Sequence, residues 1–557
     1  MLKHKKNTMQ KQSVETSVPM QATATQDQTV EERDTAQQLL QRAPRSYLFN
    51  QVYNIWFYIS SFLFTIILTR AVKADQYGVY AIIQTTLNTI MYLIAFGLED
   101  ATSVYIPRML AEYGLAAAAK LTRFILGVRL LFLVISIGIL LFGLHWLALG
   151  ISMLPIHGTQ AIVQVLQNPI LVQYNLPIVL YLFGTGIGNA LTALCAAQMR
   201  MQIVLVVNGI TQLVLLLLSF LLLTQGKGIT GILWLQAAIA LANALAFALW
   251  QTPYLWKRPS GVQLPLAGVL KLSFSAWLTN LASGALLKQI SITLLGIFMV
   301  SYVSIGYFNL SFQLADSANV LLVAGFSGVG GSALAAAFVG NNAERLGKTW
   351  LTLIKVETLI AAPGLVFCLF NASTIAHILY GSAYDPVGPL LAIFLFFNLI
   401  VRILGTTIHQ ASLYVVGKAR AVVIGQWTGI LVMIGCAIIL IPRLGAAGAL
   451  IADGIAKTIT GILLLIFIIR SIPRHQSREL LNFTVRVMLA LALAALPTLL
   501  WHPNDRLLLG VSGGIFLILC LGLLLLIKPL SSADTQMIQA TRPRIARLLK
   551  LFTRQRS

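Results

Sequence analysis

The sequence predicts an all-α, polytopic membrane protein with about 14 transmembrane helices, built as two six-helix repeats plus two C-terminal helices. Three observations predict it. Hydrophobic residues fill 58% of the 557 positions and charged residues only 10%, with a mean hydropathy of +0.83, a balance not expected of a soluble core of this size. Fourteen apolar stretches follow one another with short polar connections, most of them close to the roughly 20 residues a helix needs to cross a bilayer. Short patterns also recur in the two halves at nearly equal offsets.

The elements follow in order. Residues 1–46 are rich in Gln, Thr, Lys and Glu, have almost no apolar periodicity, and are expected to form a disordered cytoplasmic tail. No apolar run follows Lys3, Lys5 and Lys6, so this tail is not a cleavable signal peptide and the first span serves as the insertion signal. An N-lobe over 47–258 holds spans at 52–68, 78–96, 124–144, 176–197, 203–223 and 229–250. A C-lobe over 259–472 holds spans at 272–299, 305–326, 351–369, 387–413, 422–441 and 446–469. Two more, at 481–501 and 507–527, lie within 473–530. The stretches are too long, and too little alternating, for barrel strands. In the basic cytoplasmic tail, 531–557, Ile545, Leu548, Leu549 and Phe552 recur at helical spacing among Arg544, Arg547, Lys550 and Arg554. That pattern is a candidate amphipathic helix on the anionic inner leaflet.

Charge sets the orientation. With a cytoplasmic N-terminus, 28 of the 39 Lys and Arg fall on the cytoplasmic side: seven in the N-terminal tail, 14 in loops and seven in the C-terminal segment. Five (Arg70, Lys73, Lys227, Arg443 and Arg506) fall outside, and six lie within spans. This positive-inside bias places both termini in the cytoplasm of a plasma-membrane protein. The net charge of +22 is thereby topology information, and no basic, aromatic-interleaved module points to nucleic acid as a partner.

Cofactor chemistry finds little support. Cys195, Cys368, Cys436 and Cys520 all sit inside expected helices without paired spacing, and the seven His do not cluster with Cys or carboxylates. No metal site, Gly-rich phosphate loop or nucleophile elbow is present, so ATP-driven transport by this chain alone is not expected.

An offset of 228 residues lays Tyr77-Gly78-Val79-Tyr80 on Ile305-Gly306-Tyr307-Phe308, and an offset of 217 lays Gly228-Ile229-Thr230-Gly231 on Gly445-Ala446-Ala447-Gly448. Each copy then spans six helices, entering from the same side, so the repeats are parallel. The run Leu68-Thr69-Arg70 through Gln76-Tyr77-Gly78-Val79-Tyr80, then Gly97-Leu98-Glu99-Asp100, resembles the opening of the polysaccharide transporter family. These are O-antigen-type oligosaccharide flippases of the multidrug/oligosaccharidyl-lipid/polysaccharide exporter superfamily. Leu379-Tyr380-Gly381 with Tyr384, Gly417-Lys418-Ala419-Arg420, and Ile441-Pro442 followed by Gly445 and Gly448 extend the resemblance over about 48–530. It implies a non-enzymatic flippase for an undecaprenyl-diphosphate-linked oligosaccharide, with two lobes around a polar cavity. The long tail before residue 47 and a charge-free outer loop from His145 to Asn175 depart from the family pattern.

Ionisable groups within spans are the candidate functional residues, since each costs about 2.5–3.5 kcal/mol at the bilayer centre. Lys271, Arg129, Lys355, Glu357 and Arg486 lie near cytoplasmic ends and are expected to snorkel or pair locally. Lys288, Asp316, Arg402, Asp453 and Lys457 are deep. Asp453 and Lys457, at i, i+4, either neutralise each other or carry a coupling ion. Arg402 either lines a cavity or locks helices together. Lys288 and Asp316 lie at matched depth on a helical hairpin, as a buried ion pair or as cavity groups. Asn280, Gly284, Lys288 and Ser291 would share one face of helix seven, and Asn309, Gln313 and Asp316 one face of helix eight. Asp316 maps by the repeat onto Asn88, which with Gln84 forms a polar stripe on helix two.

The expected function is movement of a polyprenyl-diphosphate-linked oligosaccharide across the plasma membrane for cell-surface polysaccharide biosynthesis. Lys288, Asn280, Gln84, Asn88, Asn309, Gln313 and Arg402 would bind substrate, and Asp316, Asp453 and Lys457 would couple to a proton or sodium gradient, with no bound cofactor or metal. Membrane lipids and polysaccharide-assembly proteins are the expected partners. Alternatives are a multidrug or lipid II exporter of the same superfamily, a polysaccharide polymerase or ligase, which would want catalytic residues on a large outer loop, and an assembly scaffold.

Overall fold

A computed structural model describes residues 26–557, without 144–145, 147–148, 150–171, 258–260, 282–285, 299, 324–332, 335–336, 339–341, 502, 504, 532–552 and 555–557. The described residues are helical almost throughout. The helices are α1 (Gln26–Ala71), α2 (Ala74–Ala95), α3 (Leu98–Gly138), α4 (Asn175–Ala197), α5 (Met201–Thr224), α6 (Gly228–Leu255), α7 (Leu266–Asn280), α8 (Leu286–Ile297), α9 (Tyr302–Val323), α10 (Ala343–Phe370), α11 (Ala372–Tyr380), α12 (Val387–Leu404), α13 (Thr406–Val415), α14 (Ala419–Leu444), α15 (Ala446–Ile469), α16 (Arg474–Leu500) and α17 (Arg506–Ile527). Two residues, Leu530–Ser531, pair in parallel with Thr553–Arg554. The outer loop from His145 and the candidate amphipathic helix around Leu548 lie essentially outside the described residues, as do residues 1–25.

Among the described residues, 12 helices are long and apolar enough to cross a membrane. The two expected spans not among them are the seventh and eighth. The seventh is described as α7 and α8, of 15 and 12 residues, on either side of residues 282–285, which lie outside the described residues. The eighth, α9, has 22 residues, but Asn309, Gln313, Asp316 and Asn319 dilute its apolar character. Two further differences concern expected tail and loop. Residues from Gln26 onward are helical and continuous with the first span; Ala, Gln, Glu and Leu favour helix, and extending an existing helix avoids the cost of nucleation. The connection after α2 is also helical, running from Leu98 to Gly114, where φ 74° and ψ −176° break the axis before the third span.

Connections alternate between two ends of the bundle. At one end Arg70 reaches residues 378 and 379, and residues 75, 174, 227 and 302 border one pocket. At the other, Lys120 donates to the Val262 carbonyl (2.9 Å), Lys418 to Ser471 (2.7 Å), and Gln476 to the Glu344 carbonyl (3.4 Å). This is the up-and-down path that parallel six-helix repeats require. Gly228 (φ 57°) and Gly445 (φ 56°) both have a positive φ at the starts of α6 and α15, which glycine reaches without Cβ strain. The second sequence match thus carries a positive-φ glycine in each half.

The repeats meet along α2 and α9. A Cβ on Gly78 would lie 1.8 Å from the Tyr302 carbonyl oxygen, and one on Gly306 would lie 3.2 Å from the Gly78 Cα and 3.3 Å from the Ala74 oxygen. Tyr302 is 228 residues beyond Ala74, so the two helices cross about an approximate two-fold axis between the glycines. The last two helices pack on α10: Lys355 donates to Glu479 (2.5 Å), and Phe367 lies 5.6 Å from Phe516.

Candidate cavity between the repeats

Beyond the glycine contact, α2 and α9 present polar groups to open space. Asn88 and Asp316, equivalent under the 228-residue offset, are both exposed, each deep within its helix. An exposed carboxylate at that depth is costly against lipid, which makes the space between the repeats a candidate polar cavity. Asp316 lies within electrostatic range of Tyr58 on α1, Tyr92 on α2 and Asp453 on α15.

The other expected site residues divide between the cavity and the lobes. Asn280 is exposed and donates to Asp100 Oδ2 (2.8 Å) across the repeats. Gln313 donates to the Thr65 hydroxyl (2.8 Å). Asn309 is buried and donates to the Tyr77 hydroxyl (3.0 Å), so its amide joins α9 to α2. Gln84 donates to Gln236 (2.8 Å), which donates to Tyr80 (2.9 Å), a chain inside the first repeat. Lys288 lies on α8, its side chain outside the described residues. Ser291, expected on the same face, is buried with its hydroxyl 3.9 Å from the Met433 sulfur, towards α14.

Arg402 locks helices together. Its guanidinium contacts Glu357 and donates to Asn319 Oδ1 (2.5 Å), while Thr407 donates to Glu357 (3.1 Å). One ion pair thus ties α9, α10, α12 and α13. Asp453 and Lys457 pair at 2.9 Å, with Asp453 fully buried, and the Lys457 ammonium lies 4.8 Å from the Phe312 ring centroid and 4.5 Å from that of Phe394. Those two rings stack at 4.5 Å, so the cation is held by a carboxylate and two aromatic faces.

Two cations expected to snorkel are buried instead. Arg129 donates to the carbonyls of Ile94 (2.8 Å) and Gly186 (3.2 Å) and to Glu99 (3.3 Å), closing the C-terminal end of α2. Burial raises the Glu99 carboxyl above its ordinary range, and Arg129 pulls it partly back. Lys355 is 1% exposed and donates to Glu479, whose own side chain is 46% exposed. Depth along a helix does not reveal which way a long side chain turns; the distant acidic partner decides it.

Contacts join the repeats at both ends of the cavity. At one, Arg70 Nε donates to the Leu379 carbonyl (2.9 Å) and its Nη2 contacts the Ile378 carbonyl. Tyr384 donates to the Val72 carbonyl there (3.0 Å). At the other, Trp277 Nε1 donates to the Tyr92 carbonyl (3.2 Å), and a Cβ on Gly97 would lie 2.1 Å from the Ser273 oxygen.

The sequence profile of a family described as polysaccharide biosynthesis protein matches residues 45–330, more than half of the chain. The chain belongs to that family. The match covers the whole first repeat and the start of the second, through the helices that line the cavity. No curated protein sequence matches the chain. Among solved structures, this member of the polysaccharide biosynthesis family is similar to the lipid II flippase MurJ in an inward closed conformation, with TM-score 0.63 and 13% identity over 85% of this chain and 97% of that one. It is also similar to an inward-facing multidrug resistance MATE family transporter of the MOP superfamily, with TM-score 0.59 and 16% identity over 76% of this chain and 95% of that one. At such identities the likeness is one of fold: a multi-pass membrane protein with the helical architecture of MOP superfamily transporters.

Proposed function

We propose that this protein is a flippase that carries a polyprenyl-diphosphate-linked oligosaccharide across the plasma membrane for cell-surface polysaccharide assembly. The observation that carries this reading is the exposure of Asn88 and Asp316, repeat-equivalent polar groups, on the two helices where the repeats meet. Sugar and diphosphate pass along that polar surface while the polyprenyl tail stays in lipid. Membership of a polysaccharide biosynthesis family supports a glycan cargo, and the fold shared with MurJ and a MATE transporter supports translocation by rocking of two lobes, 47–258 and 259–472, with 473–530 attached to the second. No chemical step is assigned to the chain.

The positive-inside bias puts both termini in the cytoplasm, so the Arg70 and Tyr384 contacts form the outer gate and the Gly97 and Trp277 contacts the inner one. Each must part in turn. Lys288 is proposed to attract the diphosphate, and Asp316 to exchange a proton or sodium ion as the lobes rock.

The test is translocation of a fluorescent lipid-linked oligosaccharide in proteoliposomes, scored by its accessibility to an added glycosidase. Lys288→Ala and Asp316→Asn should lower the rate at least tenfold with insertion unchanged. Absence of glycan translocation, with transport of lipid II or of a cationic drug instead, would assign the chain a different cargo.

A further inference from the structure

A second polar concavity lies away from the central cavity, at the Arg70 end. It has a volume of about 370 Å³ and is built from the first turn of α2, the residues leading into α4, the turn between α5 and α6, and Tyr302 at the start of α9. That volume falls within the range of about 300–1,000 Å³ typical of small-ligand sites. Its polar lining includes Asp75, Gln76, Gln173 and Lys227, with Tyr174 and Tyr302 at its walls. The four non-aromatic side chains are exposed and, among the described residues, make no hydrogen bond or ion pair.

We propose that this pocket is a glycan subsite that takes a neutral, hydroxyl-rich segment of one or two sugar residues; this rests on the flippase reading given above. Two amides and a carboxylate offer donors and acceptors in planar pairs, the arrangement that meets vicinal hydroxyls. Tyrosine supplies an apolar ring face together with a polar tip, which suits a sugar's C–H face beside its hydroxyls. Asp75 and Lys227 contribute opposite charges, so the lining carries no net sign that would select an anion. Position adds a further argument. Tyr302, whose backbone touches Gly78, brings the second repeat into a pocket otherwise walled by the first. A sugar held there touches both repeats just beside the outer gate, where a translocated glycan emerges.

The test uses the full chain in lipid nanodiscs, with maltotetraose, cellotetraose and lacto-N-tetraose as probes, read by saturation-transfer NMR. Wild-type protein should transfer saturation to at least one probe. Gln76→Leu/Gln173→Leu should reduce the transfer at least tenfold, and Gln173→Ala alone, at an exposed position that folding tolerates, should reduce it measurably. Gly522→Ala, on α17 where nothing lies within 4 Å of the added Cβ, should leave it unchanged. No transfer to any probe, or transfer indifferent to the pocket variants, overturns the proposal. Translocation of lipid-linked oligosaccharide is measured alongside: its absence with sugar binding intact fails the flippase reading and leaves the pocket, and the converse result fails the pocket alone.

Discussion

Gly78 and Gly306, 228 residues apart, face each other across the junction of the repeats, with room between their helices for hydrogen atoms only. Glycine here serves close backbone approach, since neither residue has a positive φ. Gly78→Ala would drive a methyl group into the Tyr302 carbonyl and force the helices apart. Overpacking of this kind costs about 1–3 kcal/mol. Transport should fall at least fivefold at normal abundance, measured by glycan export in cells. Gly522→Ala, where nothing lies within 4 Å of the added Cβ, is the matched control and should be silent.

Arg402 and Glu357 form a pair whose members are 10% and 3% exposed. Removing the cation strands a buried carboxylate, so Arg402→Met should destabilise by about 3–5 kcal/mol. Arg402→Met/Glu357→Leu should recover much of that loss. Lys355→Met should cost less, because Glu479 is 46% exposed and can turn to water. Thermal unfolding of the purified variants in one detergent ranks the three.

In the proposed orientation the Arg70 contacts with the Ile378 and Leu379 carbonyls form the outer gate. Arg70→Ala should shift the population towards outward-open forms. With Cys195, Cys368, Cys436 and Cys520 replaced by serine or alanine, Asn88→Cys should react severalfold faster with an impermeant thiol reagent added outside when Arg70 is absent. Equal rates with and without Arg70 would show that the gate closes by other contacts.

Asp316 is exposed in the cavity, whereas Asp453 is sealed beside Lys457. Asp316→Asn should therefore abolish the response of transport to an imposed proton or sodium gradient, leaving passive exchange. Asp453→Asn/Lys457→Met, which removes both charges together, should preserve that response. The same proteoliposomes with and without a gradient measure both.

Much of this architecture was legible in the sequence because bilayer thickness imposes a length on apolar runs, and local spacing reports local pairs. Asp453 and Lys457, one helical turn apart, pair as their spacing suggests. What escaped was long-range direction. Arg129 and Glu99 are joined by packing of α3 against the end of α2, and Lys355 finds Glu479 124 residues away. The stripe Asn309, Gln313 and Asp316 is one face in projection, yet Asn309 is spent against Tyr77 while Asp316 faces open space. The 228-residue offset marked Gly78 and Gly306 as equivalents; that equivalents also touch follows from an axis that passes between them, which no single-chain pattern encodes.

The acceptors for the Arg70 guanidinium are main-chain carbonyls at Ile378 and Leu379, at the end of α11. Every amino acid supplies that oxygen, so substitutions at those two positions can drift without deleting the latch, provided the helix persists. At this contact the side-chain requirement falls on Arg70, whereas at the neighbouring one the second repeat supplies the Tyr384 hydroxyl to the Val72 carbonyl. Because amide oxygens do not titrate near neutrality, this contact also holds steady as the acidity on its side of the membrane varies.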